Sequence, residues 1–160
     1  MEIERKYIVK EIPAKLDLNS YESSEIEQGY LDIDPVVRIR RKGDRFFLTI
    51  KSDGLLVRNE FEKEISKEDY EELSPMIRSN IITKTRYKIP YGTYTIELDI
   101  FHKAFEGLIY AEVEFTSVEE AESFTAPDYF YLEVTEDVRY TNASLSMMPE
   151  EDISNLINII

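Results

Sequence analysis

The sequence predicts a mainly β chain, with some α: a closed eight-stranded antiparallel β-barrel with a few flanking helices. Three observations predict it. Eight stretches alternate apolar with polar or charged side chains at a period of two residues, which is the period of a strand. Glycine-bearing turn signals, Lys42-Gly43-Asp44, Ser52-Asp53-Gly54 and Tyr91-Gly92, punctuate several of them closely enough for hairpins. Helical spacing is confined to short segments, and many antiparallel strands with few helices fit a sheet closed on itself.

Residues 1–10 form the first strand, in which Glu2, Glu4 and Lys6 alternate with Ile3, Arg5 and Tyr7. Residues 11–24 read as a connector with a short helical turn, and 25–33 as the second strand, broken by Asp34-Pro35. Residues 36–42 and 45–51 make a hairpin. Residues 58–65 form a fifth strand with Glu60, Glu62 and Glu64 on one face. Ser66 then caps a helix whose Tyr70, Leu73 and Ile77 keep helical spacing despite Pro75. Residues 80–90 and 93–101 are the sixth and seventh strands, carrying Lys84 and Arg86, then Glu97 and Asp99, on one parity. Residues 108–116 are the eighth, with Glu112 and Glu114 opposite Ala111, Val113 and Phe115. Ser117 caps a short helix with Glu120 as its capping-box partner. Residues 129–136 read as extended or irregular and 139–144 as a loop. Residues 149–160 close the chain as a helix with an apolar stripe of Ile153, Leu156, Ile157 and Ile160.

A chain of 160 residues is the size of one domain, so residues 1–160 are expected to fold as a single unit. With 19 Lys and Arg against 33 Asp and Glu, its net charge of −14 argues against nucleic-acid and anionic-membrane partners. The absence of cysteine excludes disulfides, thiolate metal sites and cysteine nucleophiles. No apolar run is long enough to span a membrane as a helix, and the N-terminus lacks a leader pattern, so a cytoplasmic location is expected. The oligomeric state, monomer or homodimer, is left open.

The charged parity admits two readings. In most antiparallel sheets the charged face meets water, and alternation alone points that way. Against this, the parity carries both signs in blocks. Acids stand at Glu2, Glu4, Glu60, Glu62, Glu97, Asp99, Glu112 and Glu114, and bases at Lys6, Arg38, Arg40, Lys51, Lys84, Arg86 and Arg139. Glu2 and Glu4 lie about 6.6 Å apart along a strand face, a spacing from which two carboxylates can hold a hard divalent cation while Lys6 meets an anion. At an effective dielectric of 20, two carboxylates about 4 Å apart repel by roughly 4 kcal/mol, so a barrel holding these groups inward needs counter-ions. Such a lumen would take a cation together with a polyanion.

The pattern Glu2-x-Glu4-x-Lys6 resembles the signature of the CYTH superfamily, the triphosphate tunnel metalloenzymes. Further matches follow in order: Gln28-Gly29-Tyr30-Leu31, Val37-Arg38-Ile39-Arg40, Leu48-Thr49-Ile50-Lys51, Glu60-Phe61-Glu62, Lys84-Thr85-Arg86-Tyr87, Glu97-Leu98-Asp99, Glu112-Val113-Glu114, Glu133-Val134-Thr135 and Arg139-Tyr140. The ordered set covers almost the whole chain. The resemblance implies a tunnel through the barrel and hydrolysis of inorganic triphosphate, with Mg²⁺ or Mn²⁺, two ions, as cofactor. It implies Glu2, Glu4, Glu62, Glu112 and Glu114 as metal ligands, and Lys6, Arg38, Arg40, Lys51, Lys84, Arg86 and Arg139 as the substrate cradle. Glu2, Glu4, Lys6, Glu62 and Glu114 are the expected catalytic group, acting through metal-activated water.

Several assignments stay open at this point. Glu60 competes with Glu62 as the ligand on its strand. Glu97 and Asp99 fit ligands, water-orienting groups or partners of the arginines. Tyr30 fits a phosphate contact or a packing role. His102, the only histidine, has no sequence-near partner, and Arg41, Lys42 and Arg45 read as solvated charges. Class IV adenylate cyclase and thiamine triphosphatase use the same kind of tunnel, and a non-catalytic polyphosphate- or nucleotide-binding barrel is the rival outside the enzymes.

Overall fold

The computed structural model describes all 160 residues. Its strands are β1 (Glu2–Val9), β2 (Glu22–Ile33), β3 (Val36–Lys42), β4 (Arg45–Lys51), β5 (Val57–Arg58), β6 (Glu60–Ile65), β7 (Ile82–Tyr91), β8 (Tyr94–His102), β9 (Ile109–Glu114) and β10 (Phe130–Glu133). Its helices are α1 (Lys67–Leu73), α2 (Val118–Ser123), α3 (Asn142–Ser146) and α4 (Glu150–Asn158). The sheet is antiparallel with the order β10-β1-β9-β8-β7-β2-β3-β4-β6.

The wall nearly closes through a split strand. The expected fifth strand breaks at Asn59: β6 pairs with β4, while β5 swings back to pair Arg58 with Glu2 and Val57 with Ile3 of β1. That pairing joins the two ends of the sheet, giving the eight-stranded barrel with its fifth strand in two pieces. β10 is an addition outside that count. It takes the rest of the β1 edge, pairing with Tyr7–Val9. Between the two, the Leu56 carbonyl accepts from the Glu4 amide at 3.2 Å and Thr135 Oγ1 accepts from the Lys6 amide at 3.0 Å. The backbone donors of the β1 edge are therefore satisfied along its length.

Other boundaries shift for local reasons. β2 begins at Glu22, earlier than expected, because residues 22–24 find register against Lys88–Arg86 of β7. α1 starts where Ser66 Oγ accepts from the Asp69 amide at 3.0 Å, and ends before Pro75, which sits in a 3₁₀ turn at Ser74–Met76. α2 has the expected Ser117 cap, whose Oγ accepts from the Glu120 amide, but Glu120 reaches one residue past the N-cap and accepts from the Thr116 amide, so the capping box is not closed on Ser117 itself. The segment read as a loop at 139–144 is instead a 3₁₀ turn, Val138–Tyr140, leading into α3. Thr141 Oγ1 caps α3 by accepting from the Ser144 amide at 3.1 Å.

Two apolar clusters explain why the charged parity turns inward. On β1, β8 and β9 the opposite parity, Ile3, Tyr7, Ile96, Leu98, Ala111 and Val113, is buried outside the barrel beneath α2, Phe124 and the 11–21 connector. Each fully buried aliphatic side chain there stabilises the fold by about 1.5–3 kcal/mol, so a one-residue slip that exposed this row is strongly disfavoured. The second cluster fills one end of the barrel. Ile8, Ile82, Phe101 and Tyr110 continue the inward parity and pack with Phe105 from the turn after β8 and with Leu145, Ile153 and Leu156 from the C-terminal helices. Gly29 faces out beneath the α1 connection, where a Cβ would lie 2.6 Å from Ile77 Cδ1, so no larger residue fits without moving Ile77.

Candidate active site

Above the apolar end, the barrel encloses a cavity of about 460 Å³. Its wall carries Glu2, Glu4, Glu60, Glu62, Glu97, Glu112 and Glu114 together with Lys6, Arg38, Arg40, Lys51, Arg58, Lys84 and Arg86. Strand register sets their grouping. Glu4 faces Glu114 and Lys6 faces Glu112 across β1 and β9, and Glu112 in turn faces Glu97 on β8. Arg38 faces Thr49, Thr49 faces Glu62 and Lys51 faces Glu60 across β3, β4 and β6. The inward reading of the charged parity is the observed one.

The cations are held by specific partners. Asp99, fully buried, accepts from Lys84 Nζ at 2.7 Å and from Arg86 Nε and Nη2 at 2.8 and 2.9 Å. It is thus the partner that fixes the arginine and lysine of β7, which resolves its role between the alternatives left by the sequence. Glu97 adds a contact to Arg86 at 3.3 Å. Gln28, fully buried, accepts from Arg40 Nε at 2.9 Å and donates to the Tyr30 hydroxyl at 3.1 Å. Lys51 and Arg58 both reach Glu2, at 3.1 and 3.3 Å. Lys6 stands 4.0 Å from Glu112 and over the Tyr110 ring. Arg38 donates from Nη2 to Thr49 Oγ1 at 3.3 Å, but its Nε is buried with no acceptor.

The electrostatics record charges crowded on the two sides. Burial together with the repulsion of Glu112 and Glu2 pushes the Glu4 carboxyl up to about 8. Glu60, hydrogen-bonded to Glu2 and partly desolvated, is pushed up to about 7. Glu114 is raised by burial and by Glu2 and Glu97. Burial would also raise Glu2, but its bond with Glu60 and the charges of Lys51 and Arg58 bring it down to about 2. Glu112 is held well below the carboxylate range, where Lys6, Arg86 and Lys84 overcome its burial. On the cationic side, burial lowers Lys84 to about 7 against the pull of Asp99. Arg40 is lowered by burial and by the neighbouring Arg38 and Arg86.

Every residue expected in the site lines this cavity except Arg139. Its side chain is 62% exposed, and its guanidinium pairs with Asp137 at 2.6 Å and stacks on Tyr140, because the 3₁₀ turn carries it to the outer surface. Glu60 and Glu62 both reach the cavity, whereas Glu64 pairs with Arg45 at the surface. His102 lies on the outer face, 2.7 Å from Thr85 Oγ1. The sequence reading missed Arg58, Asn142 and Ser144. Arg58 shares the parity of Glu60 and Glu62, a signal sufficient to find it. Asn142 and Ser144 fell in the segment read as a loop, and no periodicity marks them.

The donor set fits a hard divalent cation: carboxylates and water suit magnesium and manganese, and thiolates are lacking. The Glu4 and Glu114 carboxyls are raised by burial first and by neighbouring carboxylates second, and Glu60 by its hydrogen bond with Glu2 and by burial. No three such side chains close on a single point, so the protein does not preassemble a complete cage.

A barrel whose inward wall sets carboxylates beside guanidinium and ammonium groups defines a class of protein that takes a small, highly charged ligand inside. The CYTH domain family matches residues 1–140, and the chain belongs to it. An inorganic triphosphatase of Nitrosomonas europaea is 38% identical over 151 residues, covering 91% of this chain and 97% of that protein. An inorganic triphosphatase of Acetivibrio thermocellus is 35% identical over 156 residues, covering 92% and 94% respectively. A crystal structure of an inorganic triphosphatase superposes with a TM-score of 0.68 at 34% identity, covering 93% of this chain and 96% of that one. Membership of this family implies metal dependence. No helix of the chain is long and apolar enough to cross a membrane.

Proposed function

We infer that this chain is a metal-dependent inorganic triphosphatase, working as a single CYTH domain over residues 1–160. The observation that carries the reading is the cluster of cations on the cavity wall, in which the buried Arg38 Nε has no acceptor. A buried donor without a partner costs about 1–3 kcal/mol, more when charged, and a phosphate oxygen relieves that cost. Arg38, Arg40, Lys51, Lys84, Arg86 and Lys6 form the cradle, the guanidinium groups forking onto phosphate oxygens and the lysines acting as point charges. Arg58 joins them at the Glu2 end, and Arg139 is left out.

Glu2, Glu4, Glu62, Glu112 and Glu114 would hold the metal, with Glu60 beside them; we propose two ions, Mg²⁺ or Mn²⁺. Bound there, the metal supplies charge neutralisation of the phosphates and activation of the attacking water. The chain's own residues then bind, orient and enclose. Asp99 sets the direction of Arg86 and Lys84, Gln28 sets that of Arg40, and the apolar cluster behind Tyr110 shuts one end. A closed end favours the inorganic chain over ATP or thiamine triphosphate, which need room for an organic group. The net charge of −14 speaks for a small anion held inside and against nucleic acid as partner.

The test is release of phosphate and pyrophosphate from tripolyphosphate, ATP and thiamine triphosphate in parallel, with Mg²⁺, Mn²⁺ or chelator. Metal-dependent cleavage of tripolyphosphate well ahead of the others is the expected result. Pyrophosphate with cyclic AMP from ATP would instead make it a cyclase, and tight binding without release would make it a binding barrel.

A further inference from the structure

The family match ends at residue 140, but the cavity wall continues into α3, where Thr141, Asn142 and Ser144 line it. Asn142 is the informative one. Its Oδ1 lies 3.2 Å from Lys84 Nζ, which also holds Asp99 at 2.7 Å. A lysine ammonium only donates, so the amide must present its oxygen to Lys84, which settles which way the Asn142 side chain is turned. The amide nitrogen then faces away from the ammonium. It has no acceptor in the protein and remains accessible, on a residue of the cavity wall. The two uncharged N–H groups of this amide therefore stand beside the Lys84 ammonium.

Resting on the triphosphatase reading, we propose that Asn142 is a further substrate-contacting residue. Its Oδ1 holds Lys84 in place while its Nδ2 donates to an oxygen of the phosphate chain. A neutral donor at this point adds a directional bond where burial and the neighbouring Arg86 and Arg40 already crowd positive charge around Lys84. It also gives the C-terminal segment a role in the site besides closing one end of the barrel.

The isosteric variant Asn142→Asp separates this from a role as a mere tether for Lys84. Aspartate keeps an oxygen on Lys84 and tethers it at least as well, but exchanges the donor for a negative oxygen facing the phosphate. Asn142→Ala removes both contacts. Steady-state kinetics with tripolyphosphate and Mg²⁺ should show KM raised about 10-fold by Asn142→Ala and about 30- to 100-fold by Asn142→Asp, the range of a hydrogen bond to a charged group plus like-charge repulsion. Thermal melting checks that both variants fold. An Asn142→Asp enzyme with KM at or below that of Asn142→Ala overturns the donor role, because that is the order a tether produces. If the wild type gives no metal-dependent release from tripolyphosphate, the triphosphatase reading falls and this inference with it; an active wild type matched by Asn142→Asp removes this inference alone.

Discussion

Asp99 is the point at which fold and site depend on one another, and replacing it with asparagine is the sharpest test of the cavity electrostatics. Its side chain and that of Lys84 are both 0% exposed and 2.7 Å apart, and Arg86 forks onto the same carboxylate at 2.8 and 2.9 Å. Asparagine has the same shape, so packing is conserved while the charge is lost. Breaking a buried pair by removing one partner costs about 3–5 kcal/mol, because the remaining charge is left uncompensated. For a chain of this length each kcal/mol lowers the melting temperature by about 2–4 °C. Asp99→Asn should therefore melt about 6–20 °C below wild type, measured by calorimetry in chelator. Adding Lys84→Met to Asp99→Asn should recover part of that loss, since one of the two stranded cations is then gone. The pH dependence has a definite sign. Burial would raise the Asp99 carboxyl, but Arg86 and Lys84 hold it below its ordinary 3.8. The folded protein therefore binds that proton more weakly than the unfolded chain. The contribution is complete above about pH 4 and is lost as pH falls through the lower folded value, so the wild-type advantage over Asp99→Asn should shrink in strong acid. A melting temperature within about 3 °C of wild type would refute the reasoning, since it would mean that Lys84 and Arg86 do not need this carboxylate.

Further outcomes follow from the same geometry. Glu4→Gln should abolish turnover and raise the melting temperature of the chelated protein by several degrees. Because the Glu4 carboxyl is pushed up from 4.5 to about 8, the fold keeps a proton that the unfolded chain releases. Wild-type stability in chelator should therefore fall relative to Glu4→Gln as pH rises from about 4.5 to 8, read from urea melts at several pH values. Arg40→Ala should raise KM for tripolyphosphate at least 10-fold with a smaller change in kcat, as expected for a group that grips the substrate throughout. Arg139→Ala should leave both constants unchanged within twofold, since its guanidinium pairs with Asp137 on the outer surface; a large rise in KM would return it to the cradle.

Much of the site was legible in the sequence because strand periodicity is rigid. Once Glu2, Glu4 and Lys6 lie on one face, the strand's alternation places Ile3 and Tyr7 on the other, and the same rule sorts Arg38 with Arg40, Lys84 with Arg86, and Glu112 with Glu114. The type and order of most elements followed from this alternation, from glycine-bearing turns and from the caps at Ser66 and Ser117. Local chemistry could not say which face was inside. Tertiary structure decided that by burying Ile96, Leu98, Ala111 and Val113 beneath α2 and the connector, leaving the charged row to line the lumen. The split of the fifth strand at Asn59 was likewise a matter of closure, since β5 exists only because the β1 edge needs a partner. Arg139 and Asn142 exchanged places for a similar reason. In a short 3₁₀ turn and a five-residue helix there is no long periodic face to read, so the direction of each side chain is set by how the C-terminal segment packs across the barrel end. What the sequence determined by itself was the alternation and the charges it carries; which charges meet, and around what volume, was decided by register and closure, because those join residues far apart in the chain.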